Sequence, residues 1–267
     1  MADVRKLFDL TGKSAVILGA ATGIGRASAR TLGGLGARVL CADISADGAE
    51  ETARAIRDDG GAAHARGCDA SSRPDVERLR DAAAAEFGRI DIAVTTPGLN
   101  IRKTLFDYSE EDLDRVLNLN IKGTIYFFQA FGKPMVAQRS GSLIACSSVR
   151  ATTIEPGLAV YGSTKAAIGL LVKGFASEVG HAGVRVNAIA PSIAETALTE
   201  PFKQRPALYE LYARHTVFNR WSKAEEVAGA VAFLASDAAS YVSGSTLMVD
   251  GGWTAIDGPP TGLTQLG

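Results

Sequence analysis

A tyrosine and a lysine four residues apart, Tyr161 and Lys165, are the pair in this chain whose types and spacing best suit chemistry. Residues at positions i and i+4 of a helix lie on one face, so the phenol and the ammonium can point at the same spot. A neighbouring cation favours the ionised form of a phenol, which suits the group to proton exchange at neutral pH. The same spacing is also typical of an ordinary amphipathic surface, so the rest of the chain must decide between the two interpretations.

A glycine-rich turn at residues 19–25 follows the first apolar run and opens a helical segment. Glycines there allow a tight turn and let a pyrophosphate approach the helix N-terminus. Asp43 ends the next apolar run, where a carboxylate can bind the adenosine ribose and repel a 2′-phosphate. Neither Thr22 nor Ile44 supplies the basic side chain that a 2′-phosphate would need. The turn therefore predicts a bound NAD, although Asp43 could instead be a turn residue at a strand end.

Short apolar runs alternate with amphipathic or alanine-rich segments along the whole chain. Such alternation predicts βαβ units, which form a parallel sheet with right-handed crossovers and helices on both faces. We expect strands at residues 15–18, 38–42, 62–68, 90–95, 142–147, 185–189 and 246–249. We expect helices at residues 25–35, 46–59, 73–87, 110–138, 161–181 and 224–236. No linker interrupts this pattern, so we expect one domain over residues 1–257 and a glycine- and proline-rich tail at 258–267, either disordered or docked on a partner subunit.

Composition and charge argue against several classes of function. The net charge of −1 gives no electrostatic footprint for nucleic acid or for an anionic membrane. Only three histidines and three cysteines occur, without metal-ligand spacing, and no nucleophile elbow is present. The apolar runs are too short to span a bilayer, and the N-terminus lacks the apolar stretch of a signal peptide. We therefore expect a cytoplasmic protein without a metal, its cysteines buried as thiols.

These motifs together resemble the short-chain dehydrogenase/reductase superfamily over nearly the whole chain. The resemblance rests on the glycine-rich turn, Tyr161-x-x-x-Lys165 and five further features, which are Asn120 in its Asn-Leu-Asn-Ile-Lys-Gly segment, Ser148, Arg185-Val186-Asn187, Pro191, and the ending from Val242-Ser243-Gly244 to Val249-Asp250-Gly251-Gly252. The order and spacing of the pieces make the match specific. It implies a single-domain, Rossmann-like, doubly wound α/β fold with seven parallel strands, and often a homotetramer.

The resemblance also implies a role for each of four residues. Tyr161 would be the general acid/base, and Lys165 would favour its ionised form and bind the nicotinamide ribose. Ser148 would hold the reacting oxygen, and Asn120 would hold a water that links Lys165 to solvent. Ser148 could otherwise be a turn serine, and Asn120 a polar group satisfied by backbone. The expected cofactor contacts, with Tyr161 and Lys165 among them, are Gly19, Thr22, Gly23, Ile24, Gly25, Asp43, Ile44, Asp69, Ala70, Gly98, Pro191, Ile193 and Thr196.

Three departures from the family pattern lie near the expected cofactor site. Leu18 stands where a threonine is usual, residues 95–98 read Thr-Thr-Pro-Gly instead of Asn-Asn-Ala-Gly, and Ser192 replaces a glycine after Pro191. The first two are neighbours in the family fold, so we expect them to compensate for each other. We expect altered hydrogen bonding around the cofactor and no loss of binding.

The substrate is expected to meet polar side chains. Candidates are Arg102, Arg150, Glu155 and Tyr209, and a guanidinium at position 150 could bind a carboxylate or several hydroxyls. An ion pair between Arg150 and Glu155, or a subunit contact, is the alternative. The leading hypothesis is an NAD-dependent dehydrogenase of a sugar, sugar acid or polyol. The alternatives are a 3-oxoacyl-[acyl-carrier-protein] reductase and a dinucleotide-binding protein without turnover.

Overall fold

The computed structural model describes residues 4–196 and 199–255, and the side chain of residue 201 is not described. Within these residues the strands are β1 (Ser14–Leu18), β2 (Arg38–Asp43), β3 (Ala62–Gly67), β4 (Ile92–Thr95), β5 (Gly141–Cys146), β6 (Val184–Pro191), β7 (Ala194–Glu195), β8 (Ser222–Lys223) and β9 (Thr246–Val249). The helices are α1 (Gly23–Gly34), α2 (Ala46–Asp58), α3 (Arg73–Phe87), α4 (Glu110–Leu117), α5 (Gly123–Ala137), α6 (Ala159–Val179), α7 (Glu200–Lys203), α8 (Pro206–Ala213) and α9 (Ala224–Ala235). The predicted tail, 258–267, lies outside the described residues.

Seven strands form one parallel sheet in the order β3-β2-β1-β4-β5-β6-β9. The strand order reverses between β1 and β4, and open α/β sheets bind their ligands outside the carboxyl ends of the strands at such a point. The predicted seven-stranded, doubly wound sheet is confirmed. The small parallel pair β7–β8 was not expected, because each of its strands has only two residues.

Apolar side chains pack on both faces of the sheet. Neighbouring strand residues alternate between two cores: Val16 packs with the α5 and α6 side, whereas Ile17 packs with the α1 and α9 side. Successive side chains of a strand point to opposite faces, so strands buried on both faces read as continuous apolar runs. The helices therefore hold the sheet from both sides, which fixes the carboxyl ends of the strands relative to one another.

The segment predicted as one helix over residues 110–138 is not uniform. A π-helical turn at Asn118–Lys122 separates α4 from α5. The shift from i→i+4 to i→i+5 hydrogen bonds leaves no mark in hydrophobic periodicity, and such turns occur frequently at functional sites. Helices α7 and α8 were not expected either, although proline in the first turn of each suits a helix start. Among the described residues no helix is long and apolar enough to cross a membrane.

Candidate active site

A cleft with a volume of about 600 Å³ opens at the carboxyl ends of β1 and β4. Eleven of the residues expected to bind a cofactor line this cleft, namely Gly19, Thr22, Gly23, Ile24, Gly25, Asp43, Ile44, Asp69, Ala70, Gly98 and Thr196. The other four expected contacts, Tyr161, Lys165, Pro191 and Ile193, are not among its lining residues. The Ile193 carbonyl accepts a hydrogen bond from the Ser222 amide at 3.2 Å. The cleft also has lining residues that the sequence did not single out, among them Cys68, Arg115, Asn118, Leu119 and Cys146.

The glycine-rich turn is shaped so that only glycine fits at three positions. Gly19 and Gly23 have positive φ angles of 93° and 54°, which side chains rarely adopt. A Cβ at Gly25 would lie 1.9 Å from the Gly19 carbonyl oxygen. Thr22 is the N-cap residue of α1, but its side chain does not cap the helix. The N-terminus of α1 therefore faces the cleft, and the turn before it carries little side-chain volume. A pyrophosphate fits the space that this turn and the helix N-terminus enclose.

The adenosine end of the cleft is bordered by two carboxylates that are held by backbone amides. Asp43 accepts hydrogen bonds from the Ala21 and Ser45 amides, each at 3.0 Å. Asp69 accepts from the Ser71 amide at 2.8 Å, and Ser72 caps α3. Each carboxylate oxygen has a second lone pair, so Asp43 keeps the capacity to bind ribose hydroxyls while its orientation is fixed.

Two of the departures from the family pattern contact each other. The Thr96 amide donates to the Leu18 carbonyl at 3.0 Å, and the Thr96 hydroxyl lies 3.2 Å from the same oxygen. A Cβ at Gly19 would lie 2.3 Å from that hydroxyl. The Thr96 side chain therefore occupies the space beside the glycine-rich turn and bonds to its backbone.

The lysine of the tyrosine–lysine pair is fixed by the end of β5. Lys165 is buried, and its Nζ donates to the Cys146 carbonyl at 2.8 Å. That Nζ also lies 5.7 Å from the centroid of the Tyr161 ring. The Ser147 hydroxyl donates to the Lys165 carbonyl at 2.8 Å. These contacts bring α6 against the strand end that leads to Ser148.

Asn120 lies in the π-helical turn and is fully buried. Its side-chain oxygen accepts from the Leu99 amide at 2.8 Å, and its Nδ2 donates to the Leu99 carbonyl at 3.0 Å and to the Thr164 hydroxyl at 2.9 Å. A Cβ at Gly98 would lie 3.1 Å from Lys165 Nζ and 3.8 Å from Asn120 Oδ1. Gly98 thus lets the asparagine and the lysine approach each other at the edge of the cleft.

Two cysteines at the cleft are unsuited to nucleophilic chemistry. Burial raises the pKa of the Cys68 thiol to about 12. Burial also raises the pKa of the Cys146 thiol, against the opposing influence of the Lys165 charge. Because the thiolate is the nucleophile, both side chains stay neutral and unreactive at neutral pH. No cluster of potential metal ligands occurs among the described residues.

Three of the four expected substrate residues lie together. Glu155 forms ion pairs with Arg102 at 2.7 Å and with Arg150 at 3.3 Å. The Arg150 guanidinium also lies over the Trp253 ring, 4.9 Å from its centroid. The ion pair between Arg150 and Glu155 that the sequence left as an alternative is therefore present. Tyr209 lies apart from these three, stacked on the Trp221 ring.

The chain is similar to known oxidoreductases over nearly its whole length. A family model described as enoyl-(acyl carrier protein) reductase matches residues 19–254. D-threitol dehydrogenase of Mycolicibacterium smegmatis is 37% identical over 250 residues, which cover 92% of this chain and 95% of that protein. The 3-oxoacyl-[acyl-carrier-protein] reductase of Thermotoga maritima is 33% identical over 243 residues, which cover 91% of this chain and 98% of that protein.

A solved structure shows the same fold. The gluconate 5-dehydrogenase of Burkholderia cenocepacia, in complex with NADP and tartrate, aligns with a TM-score of 0.90 and 33% identity, covering 95% of this chain and 99% of that one. The chain therefore belongs to the short-chain dehydrogenase/reductase family. Members of this family are dehydrogenases or reductases that bind a nicotinamide dinucleotide, and the protein is an enzyme of this class.

Proposed function

We propose that the protein transfers a hydride between NAD and a polar secondary alcohol or its ketone. The observation that carries this proposal is the position of Lys165, held by the Cys146 carbonyl at 2.8 Å and close to both Gly98 and the Tyr161 ring. That position puts a buried cation between the cofactor cleft and a phenol. A cation there favours the phenolate form in which tyrosine can accept a proton.

The chain's own residues would divide the work as follows. Tyr161 would take the proton of the alcohol hydroxyl, and Ser148 would hold the reacting oxygen near the phenol. Lys165 would stabilise the phenolate and bind the nicotinamide ribose, and Asn120 would hold a water for proton exchange with solvent. The nicotinamide, when bound, supplies the hydride acceptor. The glycine-rich turn would hold the pyrophosphate, and Asp43 the adenosine ribose.

We propose NAD in preference to NADP because of the charge at the end of β2. The Asp43 carboxylate is fixed by two backbone amides at 3.0 Å and lines the cleft beside the exposed Ile44. A 2′-phosphate there would meet a carboxylate without a neighbouring cation from position 22 or 44. The B. cenocepacia relative holds NADP, so direct measurement is needed. Titration of NADH and NADPH by fluorescence should give at least about tenfold tighter binding of NADH.

Substitution of Asp43 tests whether its carboxylate causes the preference for NADH over NADPH. Asp43→Ser should narrow the preference for NADH, because the repulsion of a 2′-phosphate is removed together with the ribose contact. Asp47→Ser, at an exposed acidic position in the first turn of α2, is the matched control and should keep the preference. A wild-type protein that binds NADPH more tightly than NADH would overturn the proposed cofactor.

We propose a polyol, sugar or sugar acid as the substrate. The similarity to D-threitol dehydrogenase supports a polyol, and the similarity to a gluconate 5-dehydrogenase supports a sugar acid. Arg102 and Arg150 give this side of the site two cations, and we propose these residues and Tyr209 as substrate contacts. Glu155, the fourth candidate, pairs with both arginines. NAD reduction with a panel of polyols, sugars, aldonates and hydroxy acids tests the class, and activity confined to apolar alcohols would contradict it.

A second candidate, a 3-oxoacyl-[acyl-carrier-protein] reductase, is favoured by the similarity to the T. maritima enzyme. Asp43 argues against it if the reaction uses NADPH. A single assay distinguishes the two candidate functions: the oxidation of NADPH or NADH with a 3-oxoacyl thioester. Rapid turnover of the thioester with NADPH, and none of the polyols with NAD, would replace the first proposal with the second.

We also propose a cytoplasmic homotetramer. Leu117 of α4 and Leu170 of α6 are exposed, the latter by 72%, and family members pack the corresponding helices between subunits. The three cysteines are free thiols, which suits a reducing compartment. Sedimentation velocity at micromolar concentration should give the mass of four chains, and a stable monomer would contradict the assembly.

A further inference from the structure

The Glu155 carboxylate is a point at which three separate segments of the chain meet. Its Oε1 accepts from Arg102 Nη2 at 2.7 Å and lies 3.3 Å from Arg150 Nη2. The Tyr212 hydroxyl donates to the same carboxylate, lying 3.2 Å from each oxygen. Arg102 follows β4, Arg150 follows β5 and Tyr212 belongs to α8. One side chain therefore joins the two loops beside the catalytic residues to a surface helix.

The two loops also contact each other through their backbones. The Lys103 amide donates to the Gly157 carbonyl at 3.2 Å. Gly157 has a φ of 85°, and a Cβ there would lie 3.1 Å from the Arg102 side chain. The Arg150 amide donates to the Ser148 hydroxyl at 3.1 Å. The arrangement of residues 150–157 is thus transmitted directly to the serine that is proposed to hold the reacting oxygen.

Helix α8 has little other support from the protein interior. Ala213 is its only buried residue with a described side chain. One end of the helix is anchored by Trp221, whose Nε1 donates to the Tyr209 carbonyl at 3.1 Å. Tyr212 supplies the link in the other direction, to Glu155 and to the Trp253 ring at 6.2 Å. Loss of the Glu155 contact would therefore weaken the attachment of α8 to the catalytic loops and leave only the Arg102 Nη2 contact with the Tyr212 hydroxyl, at 3.4 Å, and the ring contact with Trp253 among the contacts of Tyr212 described on this side.

Arg150 is held on its second face by an aromatic stack. Trp253 lies between the Arg150 guanidinium, at 4.9 Å, and the His215 ring, at 4.7 Å. Only 12% of the Arg150 side chain is exposed. A buried guanidinium without its carboxylate partner would be costly, so Glu155 is needed to keep this arginine, and with it the neighbouring loop, in place.

We propose that Glu155 is a positioning residue that latches helix α8 onto the loops carrying the catalytic serine and the proposed substrate contacts. The latch closes the alcohol side of the site and sets the affinity for substrate, whereas the cofactor cleft and the chemistry at Tyr161 are left to other contacts. This inference rests on the proposed function, since the affinity that it governs is that for the alcohol or ketone.

The test uses Glu155→Gln and Tyr212→Phe in the full-length protein. The glutamine of the first variant can still accept from the Tyr212 hydroxyl but cannot neutralise the two arginines, and the second variant loses the hydroxyl alone. Each variant should raise the KM of the alcohol about tenfold, the loss expected for one charge-assisted hydrogen bond, with kcat changed less than about twofold. The dissociation constant of NADH should not change. The double variant should show much less than the product of the two single effects, because both substitutions weaken the same link between residues 155 and 212.

A measurement that needs no substrate separates this inference from the proposed function. Trypsin should cut faster at the exposed Arg214, which directly follows α8, in both variants than in the wild type. Glu225→Gln is the matched control, because Glu225 is an exposed glutamate on a different helix, α9, and forms no ion pair among the contacts described. Its cleavage rate and KM should match the wild type. Unchanged cleavage and KM in both latch variants, or effects that multiply in the double variant, would overturn the proposal.

Discussion

Asn120 Nδ2 donates to the Thr164 hydroxyl at 2.9 Å and thereby joins the π-helical turn to the helix that carries Tyr161 and Lys165. Thr164 lies between those two residues in the sequence, and its hydroxyl donates to the Tyr161 carbonyl at 2.7 Å. The asparagine also makes two hydrogen bonds with the backbone of Leu99. Its side chain therefore fixes the tyrosine helix relative to the loop after β4.

The first prediction concerns stability. Asn120→Ala would leave the Leu99 amide and carbonyl and the Thr164 hydroxyl without their partner in a buried site. We expect a loss of unfolding free energy of about 1–3 kcal/mol, measured by urea denaturation without cofactor. Asn118→Ala, at the start of the same π-helical turn, is the control, since no side-chain hydrogen bond of Asn118 occurs among the contacts described. Equal stability of the two variants would argue against a stabilising role for the Asn120 hydrogen bonds.

The second prediction concerns the proton-transfer step. Tyr161→Phe removes the phenol oxygen and leaves the ring, so NADH should still bind. We expect kcat to fall by about 10²–10⁴-fold, the usual contribution of a positioned acid or base. Tyr241→Phe removes the same group from a fully exposed side chain and should turn over like the wild type. Retention of full activity by the Tyr161 variant would mean that the reaction uses another group.

The third prediction tests the glycine-rich turn. A Cβ at Gly25 would lie 1.9 Å from the Gly19 carbonyl oxygen, whereas one at Gly34, in the same helix, would meet nothing within 4 Å. Gly25→Ala should therefore weaken NADH binding and lower the melting temperature. Gly34→Ala should leave binding unchanged and keep or slightly raise stability, because alanine favours helix over glycine by up to about 1 kcal/mol. Calorimetric titration and thermal melts of the two proteins provide the comparison.

The glycine-rich turn before α1 and the shared helix of Tyr161 and Lys165 could be predicted from residue type and spacing, whereas the catalytic roles stay predictions. Tyr161 and Lys165 had to share a helical face, and the glycines had to precede a helix. The partner of Lys165 was not predictable in the same way. It is the backbone carbonyl of Cys146, and a carbonyl is present at every residue, so the sequence contains no signal for it.

The surroundings of Arg150 show a second limit. The sequence offered both a substrate carboxylate and Glu155 as partners, and the choice depends on how two loops and α8 pack together. That packing is long-range, with Arg102 separated from Glu155 by 53 residues. Arg115 and Asn118 of the cleft were missed for a related reason, because hydrophobic periodicity does not reveal the π-helical turn beside them.

The fourth prediction follows from the ion pair at the start of α9. The Arg220 guanidinium, together with the Lys223 amide, lowers the pKa of Glu226 from 4.5 to about 2. A carboxyl group with a lowered pKa in the folded state stabilises the protein above its unfolded pKa, and this contribution is lost as the pH falls from about 4.5 toward 2. The pair is nearly half exposed, so solvent and salt reduce its size.

Thermal melts across this pH range test the assignment. Glu226→Gln should melt below the wild type at neutral pH, and the difference should shrink as the pH approaches the lower value. Glu225→Gln, at an exposed position on the same helical turn, should show a smaller difference at every pH. If the difference in melting temperature between Glu226→Gln and the wild type stays constant into the acid range, the carboxylate charge does not cause that difference.

The π-helical turn at Asn118–Lys122 limits which single-residue deletions the protein can accept without losing a buried hydrogen-bond network. A π-helical turn takes up one residue more than an α-helical turn, so deleting one residue here would allow an ordinary α-helix to run from α4 into α5. The wide turn that brings Asn120 to Leu99 and Thr164 would then be lost, while Phe127 and Phe131 keep α5 in the core. Surface loops tolerate insertions and deletions, whereas the hydrogen bonds of this segment depend on its exact number of residues.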